Sequence, residues 1–418
     1  MATSVLLAFL AFFLLRLAVE GTLLLLNLRH AAATGAAVPE ALRGRVSEET
    51  AGRSLDYALA RGRLALVALA WGSAVTLALL LSGVLPWLGG WLAGRGLAGA
   101  HRFAAFLLLL SAATSLAGLP LSLYGTFVLE ARFGFNRTTW RTWAADQVKG
   151  LAVGLALGVP LLYATWFFVS ATGSLWWLWL WAFLAAVQAL LLWIYPALIA
   201  PIFNRFTPLE EGELRDRLEA LSRDTGFRTG GLFVMDASRR SSHSNAWFMG
   251  IVRPRIVLFD TLLSAMTVDE AAAVLAHEIG HFRLRHVLKR LAAGLLSSLL
   301  GLWVLSRLVG WVPFFQAFGF AGPSWEAALA ILALGGGAFT FFLAPLSSWI
   351  SRRQEHAADR YAVARSGSPE ALKGALVKLN GENLANLHPH PWYSRWHHGH
   401  PTLLERLAAI DAASAGSA

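Results

Sequence analysis

Seven uninterrupted apolar runs, near 4–26, 64–83, 103–129, 150–172, 174–199, 291–312 and 325–349, constrain this 418-residue chain more than any other feature. Each is long enough to cross a hydrocarbon core of roughly 30 Å as a helix, and a helix satisfies its own backbone polar groups where no water can. The chain therefore reads as a polytopic α-helical membrane protein. A content of 56% hydrophobic and 14% charged residues fits no soluble globular class. The first run is not read as a cleaved signal peptide, because Met1 to Ser4 carry no charged side chain and the run outlasts an h-region.

The 35 Lys and Arg residues against 25 Asp and Glu give a formal charge of +10. In a soluble protein that excess suggests nucleic acid, but here the cations gather in alternate loops, as membrane orientation alone requires. Arg29, Arg43, Arg45, Arg53, Arg61 and Arg63 lie in 27–63, and Arg132, Arg137, Arg141 and Lys149 in 130–149. A further 13 and 8 lie in 200–290 and 350–418, whereas the remaining connections hold only Arg95 and Arg102. Retention of basic loops puts those four regions in the cytoplasm, with the N-terminus outside and the C-terminus inside, and leaves no role for nucleic acid.

The spans divide the chain into 1–199 with five of them, a polar segment 200–290, a two-span hairpin 291–349 and a C-terminal segment 350–418. In the polar segment, 215–224 has helical amphipathic spacing, and 231–236, 243–249 and 254–259 read as three short strands. Gly250 and Pro254 punctuate the last two, which predicts an antiparallel hairpin. Thr267 with Glu270 three residues on predicts a capped helix start. The C-terminal segment reads helical, with breaks at 366–369 and around 388–391.

The capped helix contains His277-Glu278-Ile279-Gly280-His281, an H-E-x-x-H pattern. Imidazoles at i and i+4 share one helical face, so both can reach one Zn²⁺. With no cysteine in the chain, a metal must be held by His and carboxylates. Glu278, beside that face, can take a proton from a zinc-activated water, whose pKa falls toward about 7. A catalytic zinc needs a third protein ligand, and Glu355 in SRRQEHAADRYA is the next candidate. The intervening span pair leaves one side of the membrane and returns to it, so His281 and Glu355 emerge together although 74 positions apart. Asp359, one turn beyond, suits accepting the other ring N–H of a ligating histidine. His356 is a rival ligand, about 100° round the helix from Glu355. Farther on, His397, His398 and His400 form a cluster in which a protonatable side chain, or an Arg, can stabilise an oxyanion. Spacing does not choose among them.

Six motifs, RFGFNRTT (132–139), IYPALIAPIFNRFTPL (194–209), SNAWFMG (244–250), HEIGHF (277–282), SRRQEHAADRYA (351–362) and YSRWHHGHPTLLERL (393–407), carry a resemblance over most of the chain. In order and in placement relative to seven spans, the chain resembles the membrane-integral M48 zinc metalloproteases of the Ste24-type CAAX prenyl protease family. The resemblance implies a ring of seven transmembrane helices around a large water-filled intramembrane chamber, capped by a cytoplasmic zincin-like α+β metalloprotease domain. It implies His277, His281 and Glu355 as ligands of one Zn²⁺ per chain and Glu278 as the activator of water. His400, the histidine before proline, would stabilise the transition state with Arg406 nearby. Asn245 and Ala246 would lie on an edge strand that pairs with extended substrate, a mode the strand reading of 243–249 allows.

A chamber gives a setting to Arg16 and Glu20 in the first span and Arg307 in the sixth, which are costly against lipid and easier facing water or each other. Gly335, Gly336 and Gly337 in the seventh span suit close helix packing. The activity expected is zinc-dependent endopeptidase cleavage near the C-terminus of CAAX-type proteins, prenylated or not, or of other membrane-associated proteins, with membrane lipid as the other partner. The alternative is a quality-control peptidase of broad substrate range, with a transporter or receptor less favoured. Composition rich in Ala, Arg, Leu and Trp with few Lys points to a GC-rich bacterial genome, hence a bacterial inner membrane with the zinc site facing the cytoplasm.

Overall fold

The computed structural model describes residues 1–250, 254–366 and 368–415. All seven expected spans are helical: Ala2–Thr34, Glu48–Leu81, Gly99–Glu130, Trp140–Ala171, Gly173–Phe203, His286–Leu308 and Trp325–Ser366. Several overrun their apolar stretch. The second starts at Glu48 under a Ser47 cap, and the last stretch of the seventh, Ala344–Ser366, runs unbroken across the expected boundary at 349. Glu355 and Asp359 are therefore carried out of the membrane on a continuous helix.

The first six spans contact one another in chain order, the sixth meets the seventh through Arg290 on Gln354, and the seventh returns to the first. Such an arrangement is a ring, and burial shows that it is hollow. In the second span no residue between Tyr57 and Leu80 is buried. The same holds between Leu110 and Leu129 in the third, before Val169 in the fourth and between His286 and Leu305 in the sixth. A solid bundle would bury one face of every helix along its length. In these four spans only the ends are packed. At the end far from the polar domain, Phe9, Phe13, Leu80, Phe106, Trp176, Phe315 and Ile331 form a plug, to which the short helices Val84–Gly94 and Val312–Gln316 contribute. Arg16 and Glu20 pair at 3.0 Å one helical turn apart, and Arg307 lies over the Trp303 ring, so none of the three faces lipid as a bare charge. The glycine run does allow a close approach: a Cβ on Gly335 would stand 3.0 Å from the Phe9 ring of the first span.

The polar domain is built on a four-stranded sheet, β1 (Phe206–Pro208), β2 (Leu232–Met235), β3 (Ala246–Met249) and β4 (Arg255–Phe259), in the order β1-β2-β4-β3. β3 and β4 form the expected antiparallel pair. Two features differ from the sequence reading. β1 is a strand of three residues, too short to show an alternation, and β2 pairs parallel to β4. One face of the sheet packs on helices Glu213–Asp224 and Val268–Arg283 through Leu218, Phe227, Ile256, Leu258, Leu275 and Ile279. Helices Pro369–Glu382, Pro391–His397 and Leu403–Ala415 complete the domain, with the expected breaks between them; Gly367 of the first break lies outside the described residues.

The motif helix Val268–Arg283 starts in a full capping box. Thr267 Oγ1 accepts from Glu270 N, and Glu270 Oε2 accepts from Thr267 N at 2.8 Å and from Lys378 Nζ at 2.6 Å. Burial would raise the Glu270 pKa, but Lys378 and the Thr267 N–H outweigh it and hold the carboxyl below its usual range. A depressed carboxylate stabilises the fold above its unfolded pKa, and that contribution is lost as pH falls through the folded value. Glu270→Gln is therefore expected to cost about 1 kcal/mol at neutral pH, the worth of a cap. The difference should vanish in acid below the ordinary carboxylate range. Unfolding of both proteins in detergent across pH checks this, and a gap that persists at low pH would refute the ionic account.

Candidate metal centre and active site

The motif helix and the helix Ala344–Ser366 cross at a glycine. A Cβ on Gly280 would meet Ala358 Cα and Tyr361 Cβ at 3.2 Å, so only hydrogen lets the two backbones come this near. That approach sets the site. His277 and His281 project from one helix and Glu355 from the other, with their ligand atoms mutually within 4.8 Å. The two histidine Nε2 atoms are 3.2 Å apart, and they lie 3.4 and 3.3 Å from Glu355 Oε2 and Oε1. A tetrahedral ion with bonds of about 2.0–2.1 Å needs donors separated by about 3.3–3.4 Å, so the triangle fits a zinc-sized cation without rearrangement. Glu355 is 1% exposed, and its two oxygens are turned to the two imidazoles, as suits a carboxylate reserved for a metal. His356 is not in the triangle.

Outer contacts aim the ligands. Asp359 Oδ1 lies 2.8 Å from His277 Nδ1, so the carboxylate can hold that ring with Nε2 turned to the site. Arg406 grips both oxygens of Asp359, at 2.9 and 2.5 Å, and its Nη2 lies 3.4 Å from His277 Nδ1. The guanidinium thus sits behind His277, on the side away from Glu355. On the other ring, His281 Nδ1 meets Nδ1 of buried His286 at 2.9 Å. The sequence reading missed His286, and its only local signal is conformational: Arg285 takes φ 56°, the left-handed turn that folds the sixth span back against the motif helix. Burial opposes a charge on His277, but the Asp359 and Glu355 carboxylates override it and push its pKa up to about 9. Burial raises the pKa of Glu278 beside it.

Of the remaining candidates, His400 reaches the site. His400 Nδ1 lies 2.9 Å from Glu355 Oε2, and the ring is exposed. Burial lowers the pKa of both His397 and His398, and His397 packs on Tyr393. Ala246 opens β3, the edge strand of the sheet, which runs beside the motif helix. Exposed Asn245 accepts from Phe259 N through its backbone oxygen and from Ala246 N through its side chain. Asp359→Asn is expected to leave the three ligands in place and to lower metal affinity about 10- to 100-fold, as loss of an outer carboxylate does. Competition with a zinc chelator would measure it, and unchanged affinity would mean that Asp359 does not orient His277.

Chemistry of this kind on a hollow ring of seven helices places the molecule among the membrane-embedded metallopeptidases. The family model described as CAAX prenyl protease N-terminal, five membrane helices, matches residues 27–205, and that of peptidase family M48 matches 208–414. CAAX prenyl protease 1 of Saccharomyces cerevisiae is 40% identical over 329 residues, 74% of this chain and 72% of that protein. The homolog from Arabidopsis thaliana is 36% identical over 390 residues, 90% of each. The crystal structure of S. mikatae Ste24p matches with a TM-score of 0.91 at 33% identity, covering 97% of this chain and 99% of that one. The chain belongs to the Ste24-type CAAX prenyl proteases of the M48 family and is a multi-pass membrane metalloendopeptidase.

Proposed function

We propose that the chain is a zinc-dependent endopeptidase that cleaves near the C-terminus of CAAX-type or other membrane-associated polypeptides. The observation that carries this reading is the His277, His281 and Glu355 triangle, with Glu278 beside it and an unpaired strand edge alongside. His277, His281 and Glu355 would hold the ion, which when bound supplies a Lewis acid and brings water toward a neutral pKa. Extended substrate adds to the free edge of β3 by main-chain hydrogen bonds, with Asn245 and Ala246 at the start of the paired stretch. Glu278, its basicity raised by burial, takes the proton of the attacking water and returns it to the leaving amine. His400 faces the same opening and donates to the oxygen on which negative charge develops. Arg406 acts from behind, by fixing Asp359 and through it His277.

The hollow ring gives a membrane-tethered chain room to reach a site at the membrane surface, which favours lipid-associated substrates. We place the site on the cytoplasmic side from the Lys and Arg distribution, and the membrane as a bacterial cell membrane from composition, although the relatives named above are eukaryotic. Elemental analysis of detergent-purified protein, with cleavage of a fluorogenic CAAX-type peptide bearing or lacking a farnesyl group, tests the reading. Bound zinc with cleavage that chelation abolishes and zinc restores is the expected result. Protein that binds no zinc would refute the metal assignment, and zinc-loaded protein inert to both peptides would refute the substrate class.

A further inference from the structure

The RFGFNRTT loop between the third and fourth spans takes no part in the chemistry above, yet it is bonded to the segment that leads into β3. Asn136 bridges to Ser241, Arg137 N and Thr138 Oγ1 donate to Arg240 O at 3.0 and 3.1 Å, and Ser242 N donates to Phe135 O at 3.1 Å. The Arg240 guanidinium closes the junction with two bonds to Asp146 of the fourth span, at 2.7 and 2.9 Å. His243 follows. Its ring stacks on Phe135 with centroids 4.0 Å apart, its Nε2 lies 3.2 Å from Glu130 Oε2 at the end of the third span, and its Nδ1 lies 2.8 Å from Asn383 Oδ1.

Those partners decide how the ring is held. Asn383 spans the Ser244 backbone, its Oδ1 accepting from Ser244 N at 3.2 Å and its Nδ2 donating to Ser244 O at 3.3 Å. A backbone N–H can only donate and a carbonyl only accept, so the amide has one orientation and Oδ1 is an acceptor toward His243. Glu130 is an acceptor too; its Oε1 already takes the Tyr57 hydroxyl at 2.6 Å. Each ring nitrogen of His243 therefore faces an acceptor, one on the third span and one at the end of helix Pro369–Glu382. On the second span, Arg61 lies over the Tyr57 ring and Arg53 reaches Phe133 O at 3.4 Å.

We propose that His243 is a positioning residue that locks the start of β3 to the third span and to the end of helix Pro369–Glu382. The inference rests on the peptide-cleavage reading, because the strand so fixed is the one substrate would pair with. β3 has four residues and pairs with β4 on one side only, so its place beside the motif helix depends on how its first residues are held. Ser244 and Asn245 are those residues, gripped by Asn383 and by Phe259 N. A loosened start costs main-chain bonds to the substrate while leaving Glu278 and the metal ligands untouched, so the loss falls on binding.

The test uses full-length protein in detergent and the fluorogenic CAAX-type peptide. His243→Phe keeps the stack on Phe135 and removes both ring nitrogens. It is expected to raise KM about tenfold, the worth of a charge-assisted hydrogen bond, with kcat within about threefold and zinc content unchanged. Glu130→Gln should move KM the same way, and the double variant should cost no more than the worse single one, as for two residues of one interaction. If His243→Phe does not fold, Glu130→Gln and His243→Gln carry the same comparison. Normal KM in these variants, or kcat and zinc falling together, would overturn the proposal. Wild-type cleavage and its loss in Glu278→Ala serve as controls: if they fail, the peptidase reading falls and this inference with it; if they hold, the His243 result stands alone.

Discussion

Glu278→Gln is expected to bind zinc as the unaltered protein does and to lose about 10²- to 10⁴-fold in peptide hydrolysis, the range of general acid–base catalysis. The substitution keeps the shape of the side chain and its place beside His277, and removes only the capacity to accept a proton. Zinc should be retained because, among the described residues, the converging ligand atoms belong to His277, His281 and Glu355. Burial raises the pKa of Glu278, which makes it a stronger base than a surface carboxylate, and no amide can replace that. Metal content and initial rates measured side by side decide the matter. Near-normal rates would move the base elsewhere, and loss of zinc would make Glu278 part of the metal cradle.

The second large effect is expected at Glu355. Glu355→Ala should strip zinc during dialysis and abolish cleavage, beyond the roughly 10- to 100-fold cost of losing an outer hydrogen bond. Glu355 contributes the only negative charge among the three ligands, and its neighbours make its loss worse. Arg290 Nη2 stands 3.8 Å from Glu355 Oε1, so removing the carboxylate leaves a cation aimed at the metal position. No nearby group replaces it: Nδ1 of His356 is buried without a hydrogen-bond partner and lies outside the ligand triangle. Elemental analysis with circular dichroism separates metal loss from unfolding. Zinc retained in a folded Glu355→Ala protein would make His356 the first candidate for the third ligand.

The parts of the molecule legible in its sequence are those encoded by local period and length. The seven spans follow from apolar length, and the capping box at Thr267 and Glu270 and the shared face of His277 and His281 follow from helical spacing. The β3–β4 hairpin follows from alternation and the punctuation at Gly250 and Pro254. β1 escaped because three residues carry no pattern, and the parallel pairing of β2 with β4 because nothing local encodes a partner across an intervening strand. The Glu130, His243 and Asn383 network joins positions 113 and 140 residues apart, each unremarked in its own segment.

By itself, then, the sequence determined that the chain must cross the membrane seven times, that one helix presents two imidazoles and a carboxylate, and that a second carboxylate returns to the same side. These are consequences of helix geometry and of a solvent that tolerates no unpaired backbone. Only the tertiary structure decided that Gly280 lets two helices touch so that three donors converge. It also put Arg406 behind His277 and His286 behind His281. Those outcomes depend on which side chains meet when distant segments pack, and close packing is a property of pairs of surfaces that neither segment carries alone.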